Sequence, residues 1–214
     1  VHTSVCADQR RALEVSDIGN LLCETEKASS CGSLPIELQT TKNIFALMFL
    51  LRGIPFVDLA YLRKADIQGN TLKYRRRKTG RLLTVMLTPD AIKLIRIVAK
   101  TKPESPYLFP FLSSPEGTEA AYHEYQSSLR MFNYRLSRLK KYMKTAAHLS
   151  SYTIRHTWAT MAYYCEIHPG IISEAMGHSS IKVTETYLKP FQNEKIDNAN
   201  SQVISYVKEY ASIV

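Results

Sequence analysis

The sequence has few cysteines for its length, and their spacing excludes two kinds of stabilising site. Cys6, Cys23, Cys31 and Cys165 are its four cysteines among 214 residues. No two of them form a Cys-x-x-Cys pair, and no set of Cys and His has the spacing of a zinc site. We therefore expect neither a structural metal nor a disulfide framework, and a reducing cytoplasm fits this composition.

Long hydrophobic runs are also missing. The longest apolar stretch is "IFALMFLL" at residues 44–51, whereas a membrane-spanning helix needs about 20 apolar residues. The N-terminal residues lack the basic-then-apolar order of a signal peptide. These absences predict a cytoplasmic protein without a membrane span.

Acidic residues are fewer than basic ones. The chain has 19 Asp and Glu against 28 Lys and Arg, which gives a formal charge of +9. Such an excess favours polyanionic partners, with nucleic acid first among them, and it does not specify a fold. A length of 214 residues with 45% hydrophobic content is typical of one compact domain with a substantial core.

The hydrophobic periodicity predicts a mainly helical (α+β) fold with one small antiparallel β-sheet. Residues 1–12 are interpreted as an arm or linker, 13–192 as the main domain and 193–214 as a C-terminal helical tail. Two β-compatible runs, 71–77 and 81–88, flank a turn at Lys78-Thr79-Gly80. The segment 102–117 is rich in proline and predicts a long loop.

Capping residues mark where the predicted helices begin and end. A helix over 36–52 is expected to end at Gly53, and a long helix is expected over about 122–143. The residues expected to begin further helices are Ser16, Pro55, Thr88 with Pro89, Ser150 or Ser151, and Pro169, and a short helix is expected over 181–188.

Four residues form a set that could cut a phosphodiester without a metal. Taken singly, each has an ordinary explanation: Lys78 as a solvated charge, Arg155 as a surface ion pair, His178 as a helix cap and Tyr187 as core packing. Together, a tyrosine hydroxyl can attack phosphorus while cations stabilise the charge that develops on the phosphate oxygens. Arginine suits this task because its planar fork holds two oxygens and stays charged.

The order and spacing of these residues resemble a known family. The matching segments are "GIPFVDLAYLRKADI", "RKTGRLLTVML", "RHTWATMA" and "EAMGHSSIKVTETY". His178 follows Arg155 by 23 residues, and Tyr187 follows His178 by nine. In these respects the chain resembles the catalytic domain of tyrosine recombinases, or phage-type integrases, and within them the integrases of conjugative transposons and related bacterial mobile elements.

The resemblance implies a role for each of the four residues. Tyr187 would be the nucleophile that becomes linked to a DNA 3'-phosphate, and Arg155 and His178 would bind the scissile phosphate. Lys78 would be the hairpin lysine that protonates the 5'-hydroxyl leaving group. No metal and no other cofactor is implied.

Two positions depart from the family pattern. Where the family usually has its first arginine, this chain has Pro55, and Tyr152 replaces a usual histidine. Arg52, three residues before Pro55, is predicted to take over from the missing arginine. The remaining positions that the resemblance assigns support the site: Asp58 as a buttress, and His156 and Trp158 as packing residues.

The resemblance also implies partners. These are double-stranded DNA, further integrase protomers in a tetrameric synapse, and accessory DNA-bending proteins, with the C-terminal tail packing in cis or docking on a neighbouring protomer. The candidate DNA-binding residues, which solvated faces would also explain, are Arg75, Arg76, Arg77, Arg138, Lys140 and Lys141. Two alternatives stay open: a DNA-binding module without cleavage, and a type IB topoisomerase-like nicking-closing enzyme.

Overall fold

The computed structural model describes residues 12–23, 34–143, 145–188 and 193–211. The predicted arm, apart from its last residue, lies outside the described residues. Those residues form nine α-helices, one 3-10 helix (Lys64–Asp66) and three strands. The α-helices and strands are α1 (Val15–Cys23), α2 (Ile36–Leu50), α3 (Phe56–Ala60), β1 (Ile67–Gln68), β2 (Thr71–Arg75), β3 (Leu82–Met86), α4 (Pro89–Val98), α5 (Glu119–Met143), α6 (Thr153–Tyr164), α7 (Pro169–Met176), α8 (Ile181–Glu185) and α9 (Asn193–Ala211). This architecture confirms the predicted fold class.

The three strands form one antiparallel sheet in the order β1-β2-β3. Leu72 pairs with Val85 and Tyr74 with Leu83, and all four side chains are buried. The two longer strands are shorter than predicted, because the chain turns between them. In this hairpin loop, residues 76–81, the Arg76 amide donates to the Arg81 carbonyl at 2.8 Å and the Gly80 amide to the Arg76 carbonyl at 2.7 Å.

Capping residues start several helices as the sequence predicts. Thr88 caps α4, its Oγ1 accepting from the Ala91 amide at 3.3 Å, and Pro89 is the first helical residue. Pro169 begins α7. Helix α1 begins at Val15, one residue before the predicted cap Ser16.

Helix α2 runs through the centre of the core. Phe45, Ala46, Leu47 and Met48 have no solvent exposure, and the helix packs against α1, α4, α5 and α6. A helix buried on all sides reads as a continuous apolar run, which explains the run at 44–51. A second, smaller cluster comprises Ala159, Ala162, Ile172, Met176 and Tyr187.

The end of α2 differs from the sequence prediction. The helix stops at Leu50 rather than at residue 52, and Arg52 and Gly53 both have left-handed backbone angles, φ 61° and 66°. Left-handed geometry cannot continue a right-handed helix. The chain therefore turns sharply here before α3, and this turn lies against α6.

Helix α9 keeps an apolar face in contact with solvent. Ile196, Val203 and Val207 are each more than half exposed. Lys195, near the start of α9, donates to the Tyr164 carbonyl at 2.9 Å and pairs with Glu166 at 3.1 Å. Across the part of the chain that the structure describes, no helix combines the length and hydrophobicity needed to cross a membrane.

Candidate active site

A cavity of about 320 Å³ brings most of the predicted site residues together. It lies where α3, the hairpin loop, α5, the start of α6 and the α7–α8 segment meet. Its polar and glycine lining residues are Arg76, Lys78, Thr79, Tyr125, Ser151, Tyr152, Gly177, His178, Ser179 and Tyr187. Arg155 lies beneath this wall, and no carboxylate lines the cavity among the residues the structure describes.

Arg155 is held rigidly in the interior. Its side chain is 1% exposed, and its Nη1 and Nη2 donate to the carbonyls of Gly53 at 2.8 Å and Met176 at 2.7 Å. Burial and then the charge of Arg76 lower the pKa of Arg155, while the phenol of Tyr187 opposes the shift. Arginine nevertheless stays protonated in proteins, so Arg155 provides a fixed positive charge.

Gly53 places its carbonyl on Arg155 through a very close approach of two backbones. A Cβ added at Gly53 would lie 3.0 Å from the Arg155 Cα and 3.2 Å from the Trp158 Cβ. The backbone angle φ of 66° is also unfavourable for any side chain. Only glycine satisfies both conditions here.

Gly53→Ala should therefore lower the free energy of unfolding by roughly 2–4 kcal/mol, through left-handed strain and overpacking together. The matched control is Gly69→Ala, where φ is 59° and nothing lies within 4 Å of the added Cβ. Urea unfolding monitored by circular dichroism measures both. Equal losses for the two variants would show that the contact with Arg155 adds nothing.

His178 is a buried, neutral imidazole. It is 3% exposed, and its Nδ1 lies 2.8 Å from the buried Thr184 Oγ1. Its Nε2 is buried without a hydrogen-bond partner among the described residues. Burial first, and then the charges of Arg155, Arg76 and Lys78, lower the pKa of His178 to about 3. The ring therefore carries one proton at neutral pH.

The ring of Tyr187 lies between two imidazoles. It stacks on His178 with ring centroids 4.9 Å apart, and it packs at a tilt against His156 with centroids 4.4 Å apart. The residue follows the end of α8 and is 8% exposed. Its hydroxyl contacts that of Tyr152. These contacts hold the phenol at the wall of the cavity.

Tyr152 lies at the mouth of the cavity and is 45% exposed. Partial burial, followed by its contact with Tyr187, raises the pKa of Tyr152 to about 12. At neutral pH the Tyr152 hydroxyl is therefore protonated and can both donate and accept a hydrogen bond.

The hairpin loop is bonded to the segment that carries His178. Arg76 Nε, Thr79 Oγ1 and Arg81 Nη1 donate in turn to the carbonyls of three consecutive residues: Met176 at 3.3 Å, Gly177 at 3.1 Å and His178 at 2.6 Å. Lys78 belongs to this loop and lines the same cavity. The loop thus fixes its lysine beside the histidine.

Asp58, to which the resemblance assigned a supporting role, forms an ion pair with Arg76. The Asp58 side chain is fully buried, and it accepts from Arg76 Nη1 at 2.6 Å and from the Arg77 amide at 3.0 Å. Arg76 itself is 6% exposed. Its inclusion in an exposed basic surface was wrong, because the alternation of β2 turns Leu72, Tyr74 and Arg76 inward.

The other predicted DNA-binding residues lie at the surface. Arg75 is exposed, whereas Arg77 pairs with Glu116 at 2.5 Å and lies 3.7 Å above the Tyr61 ring. On α5, Arg138 and Lys141 are exposed and Lys140 Nζ donates to the Ala146 carbonyl at 3.2 Å.

The structure does not bring Arg52 to the cavity. Arg52 is absent from the residues that line it, because the left-handed turn breaks the helical continuity on which the prediction depended. Its charge acts on the buried Tyr74, as do the charges of Arg155 and Arg76. His156 and Trp158 occupy the packing positions expected of them, against Tyr187 and beside Gly53. The part of the chain that is described holds no cluster of three or more His, Cys, Asp or Glu that could bind a metal.

The model of the phage integrase family matches residues 17–194 of this chain. A comparison with curated protein sequences found no match.

Several solved structures share the fold. XerA recombinase superposes with a TM-score of 0.60 at 15% identity, and the match covers 89% of this chain and 62% of the XerA chain. XerH recombinase bound to a palindromic difH substrate gives 0.59 at 16% identity, with 89% and 52% covered. The Tn1549 transposon integrase in complex with circular intermediate DNA gives 0.58 at 15% identity, with 90% and 66% covered. The chain thus spans between half and two thirds of these proteins.

Proposed function

The chain belongs to the phage integrase family, and on that premise we propose that it is a recombinase catalytic domain that cuts and rejoins DNA through a phosphotyrosine intermediate. The observation that carries the proposal is the single cavity onto which Lys78, His178 and Tyr187 open, above the buried guanidinium of Arg155. A nucleophile, a proton donor and preorganised cations are what metal-free phosphoryl transfer needs.

In the proposed reaction, the Tyr187 hydroxyl oxygen bonds to phosphorus and the bond from phosphorus to the 5'-oxygen breaks. Lys78 gives a proton to that leaving oxygen. The phenolic proton passes to the Tyr152 hydroxyl, which contacts Tyr187 and is 45% exposed, and Tyr152 releases its own proton to water. Rejoining reverses these steps with a 5'-hydroxyl from another strand, so no nucleotide cofactor is needed.

Arg155 would offset the charge of the phosphate during this step, and His178 would donate a hydrogen bond to it. Arg155 keeps its charge, whereas the neutral His178 donates or accepts through Nε2. The pKa of about 3 for His178 reflects its burial first and then three nearby cations. A phosphate anion would oppose those cations and raise that pKa, which strengthens the hydrogen bond from His178 to the phosphate.

Double-stranded DNA is the proposed partner, with Arg75, Arg77, Arg138, Lys140 and Lys141 as contacts. XerH and the Tn1549 integrase were solved with DNA, and lambda integrase as a dimer on a core site. The exposed apolar face of α9 supports docking on another protomer of a synapse. Accessory DNA-bending proteins and action on the bacterial nucleoid belong to the same proposal.

Covalent capture tests this function. The full-length protein is incubated with a library of nicked duplexes randomised around the cleavage position, and DNA that resists detergent extraction is sequenced. We expect one enriched core sequence attached to the protein through its 3'-phosphate. Absence of adducts would favour the binding-only reading, which the missing first arginine at Pro55 supports. Relaxation of supercoiled plasmid without strand exchange would favour the topoisomerase-like reading.

A further inference from the structure

The cavity contains a guanidinium to which the family resemblance assigned no catalytic role. Arg76 lines it from the hairpin loop, although the side chain is 6% exposed. Its Nε donates to the same Met176 carbonyl oxygen that accepts from Arg155 Nη2, at 3.3 Å and 2.7 Å. The two guanidiniums therefore lie side by side at the C-terminal end of α7, whose partial negative charge favours cations.

Arg76 retains donors for a ligand. A guanidinium has five N–H groups. In Arg76, one on Nε and one on Nη1 donate to described residues. The Nη2 group makes no hydrogen bond to the described residues. It is also not one of the buried polar atoms that lack a partner, so it remains accessible to solvent. Asp58 and the Met176 carbonyl thus fix the plane of the fork and leave one side open to the cavity.

The charges around the cavity do not balance. Among the described residues, three cations, Arg76, Lys78 and Arg155, line or underlie it, and Asp58 is the one carboxylate bonded to them. Burying two guanidiniums side by side is costly unless an anion offsets them. Their mutual repulsion contributes to the lowered pKa of Arg155. A bound phosphodiester would supply the missing negative charge.

We propose that Arg76 is the second guanidinium of the active site and binds a non-bridging oxygen of the scissile phosphate beside Arg155. This assignment rests on the function proposed above and replaces Arg52 in that role. Asp58 is then a positioning residue, which holds Arg76 Nη1 at 2.6 Å and does not touch the substrate. Pro55 can occupy the usual arginine position because the second charge reaches the cavity from the hairpin instead.

The test must separate binding of phosphate from support of the fold. Removing Arg76 alone would leave Asp58 buried without its partner, so the main variant is the neutral pair Asp58→Asn with Arg76→Gln. Arg76→Lys keeps the charge but loses the fork. Lys73→Met, on the exposed face of the same hairpin, is the matched control for lost surface charge. Each variant is assayed on the captured duplex and on the same duplex with an uncharged methylphosphonate at the scissile position.

On phosphate DNA, the neutral pair and Arg76→Lys should form the covalent adduct about 100- to 1,000-fold more slowly than the wild type. On methylphosphonate DNA, the deficit of the neutral pair should shrink to less than about tenfold, because the methyl group removes one charged non-bridging oxygen and leaves Arg155 to stabilise the other. Lys73→Met should match the wild type on both substrates. Equal deficits on both substrates would mean that Arg76 only supports the fold. If Arg52→Met, rather than the Arg76 variants, shows the deficit on phosphate DNA that shrinks on methylphosphonate DNA, Arg52 would be the second guanidinium.

A second measurement does not depend on cleavage. In protein with ¹⁵N-labelled arginine, inorganic phosphate should shift the Nε signals of Arg76 and Arg155 along one binding curve. If the wild type yields no adduct but the two signals shift together, the proposed function fails and the phosphate site at Arg76 stands. If the wild type yields adducts while phosphate leaves Arg76 unmoved, the Arg76 assignment is overturned and the function stands.

Discussion

Tyr187→Phe should abolish the covalent protein–DNA adduct completely, because the phenol oxygen is the atom that would bond to phosphorus. The ring would stay in place, since its two imidazole neighbours, His156 and His178, pack against the aromatic ring, which phenylalanine keeps. DNA binding should therefore be retained. Detergent-denatured gels with end-labelled duplex measure the adduct, and fluorescence anisotropy measures binding.

The matched control for this variant is Tyr134→Phe, which removes a hydroxyl from an exposed tyrosine on α5. Its adduct yield should equal that of the wild type. An adduct that survives Tyr187→Phe would point to Tyr152, whose hydroxyl contacts that of Tyr187. Peptide mapping of the adduct by mass spectrometry would decide between the two tyrosines, and a DNA-linked Tyr152 would contradict the proposed mechanism.

Asp58→Ala should have the largest effect on stability. The variant leaves the buried guanidinium of Arg76 without its carboxylate, and breaking a buried ion pair in this way typically costs about 3–5 kcal/mol. The Arg77 amide would also lose its acceptor. Chemical denaturation of the wild type and the variant measures the difference in the free energy of unfolding.

Two further variants test whether the loss of stability in Asp58→Ala comes from a buried ion pair. Glu116→Ala removes a carboxylate that pairs with Arg63 and Arg77 at the surface, where its side chain is 34% exposed, and it should cost less than about 1 kcal/mol. Asp58→Leu combined with Arg76→Met removes both buried charges and should recover most of the stability. A loss below 1 kcal/mol for Asp58→Ala, or no recovery in the double variant, would contradict a buried ion pair.

Local sequence signals were sufficient for most of the fold. Thr88 with Pro89 and Pro169 specify helix starts through chemistry confined to one turn, and the structure begins α4 and α7 there. The end of α2 could not be placed in the same way. Arg52 is a good helix former by itself, and its left-handed geometry is stabilised by contacts of the following Gly53 with α6, about 100 residues later in the chain.

The candidate site shows the same limit. Spacing and residue type led to Lys78, Arg155, His178 and Tyr187, and the structure brings all four to one place. Arg76 was misplaced because it stands in the basic run 75–78, whose composition suggests a solvated face. Every second residue of β2 is buried, as Leu72 and Tyr74 show, and this alternation continues to Arg76. It was the sequence signal that the Arg76 side chain points inward. Its carboxylate partner lies 18 residues earlier, which no local pattern encodes.

The bonds from the hairpin loop to the carbonyls of residues 176–178 carry an evolutionary consequence. Arg76, Thr79 and Arg81 must keep their register against three consecutive peptide units, so an insertion or deletion between them would detach at least one. Relatives with this arrangement should thus conserve the length of the loop more strictly than its composition, and a change of length there should be accompanied by a compensating change before His178.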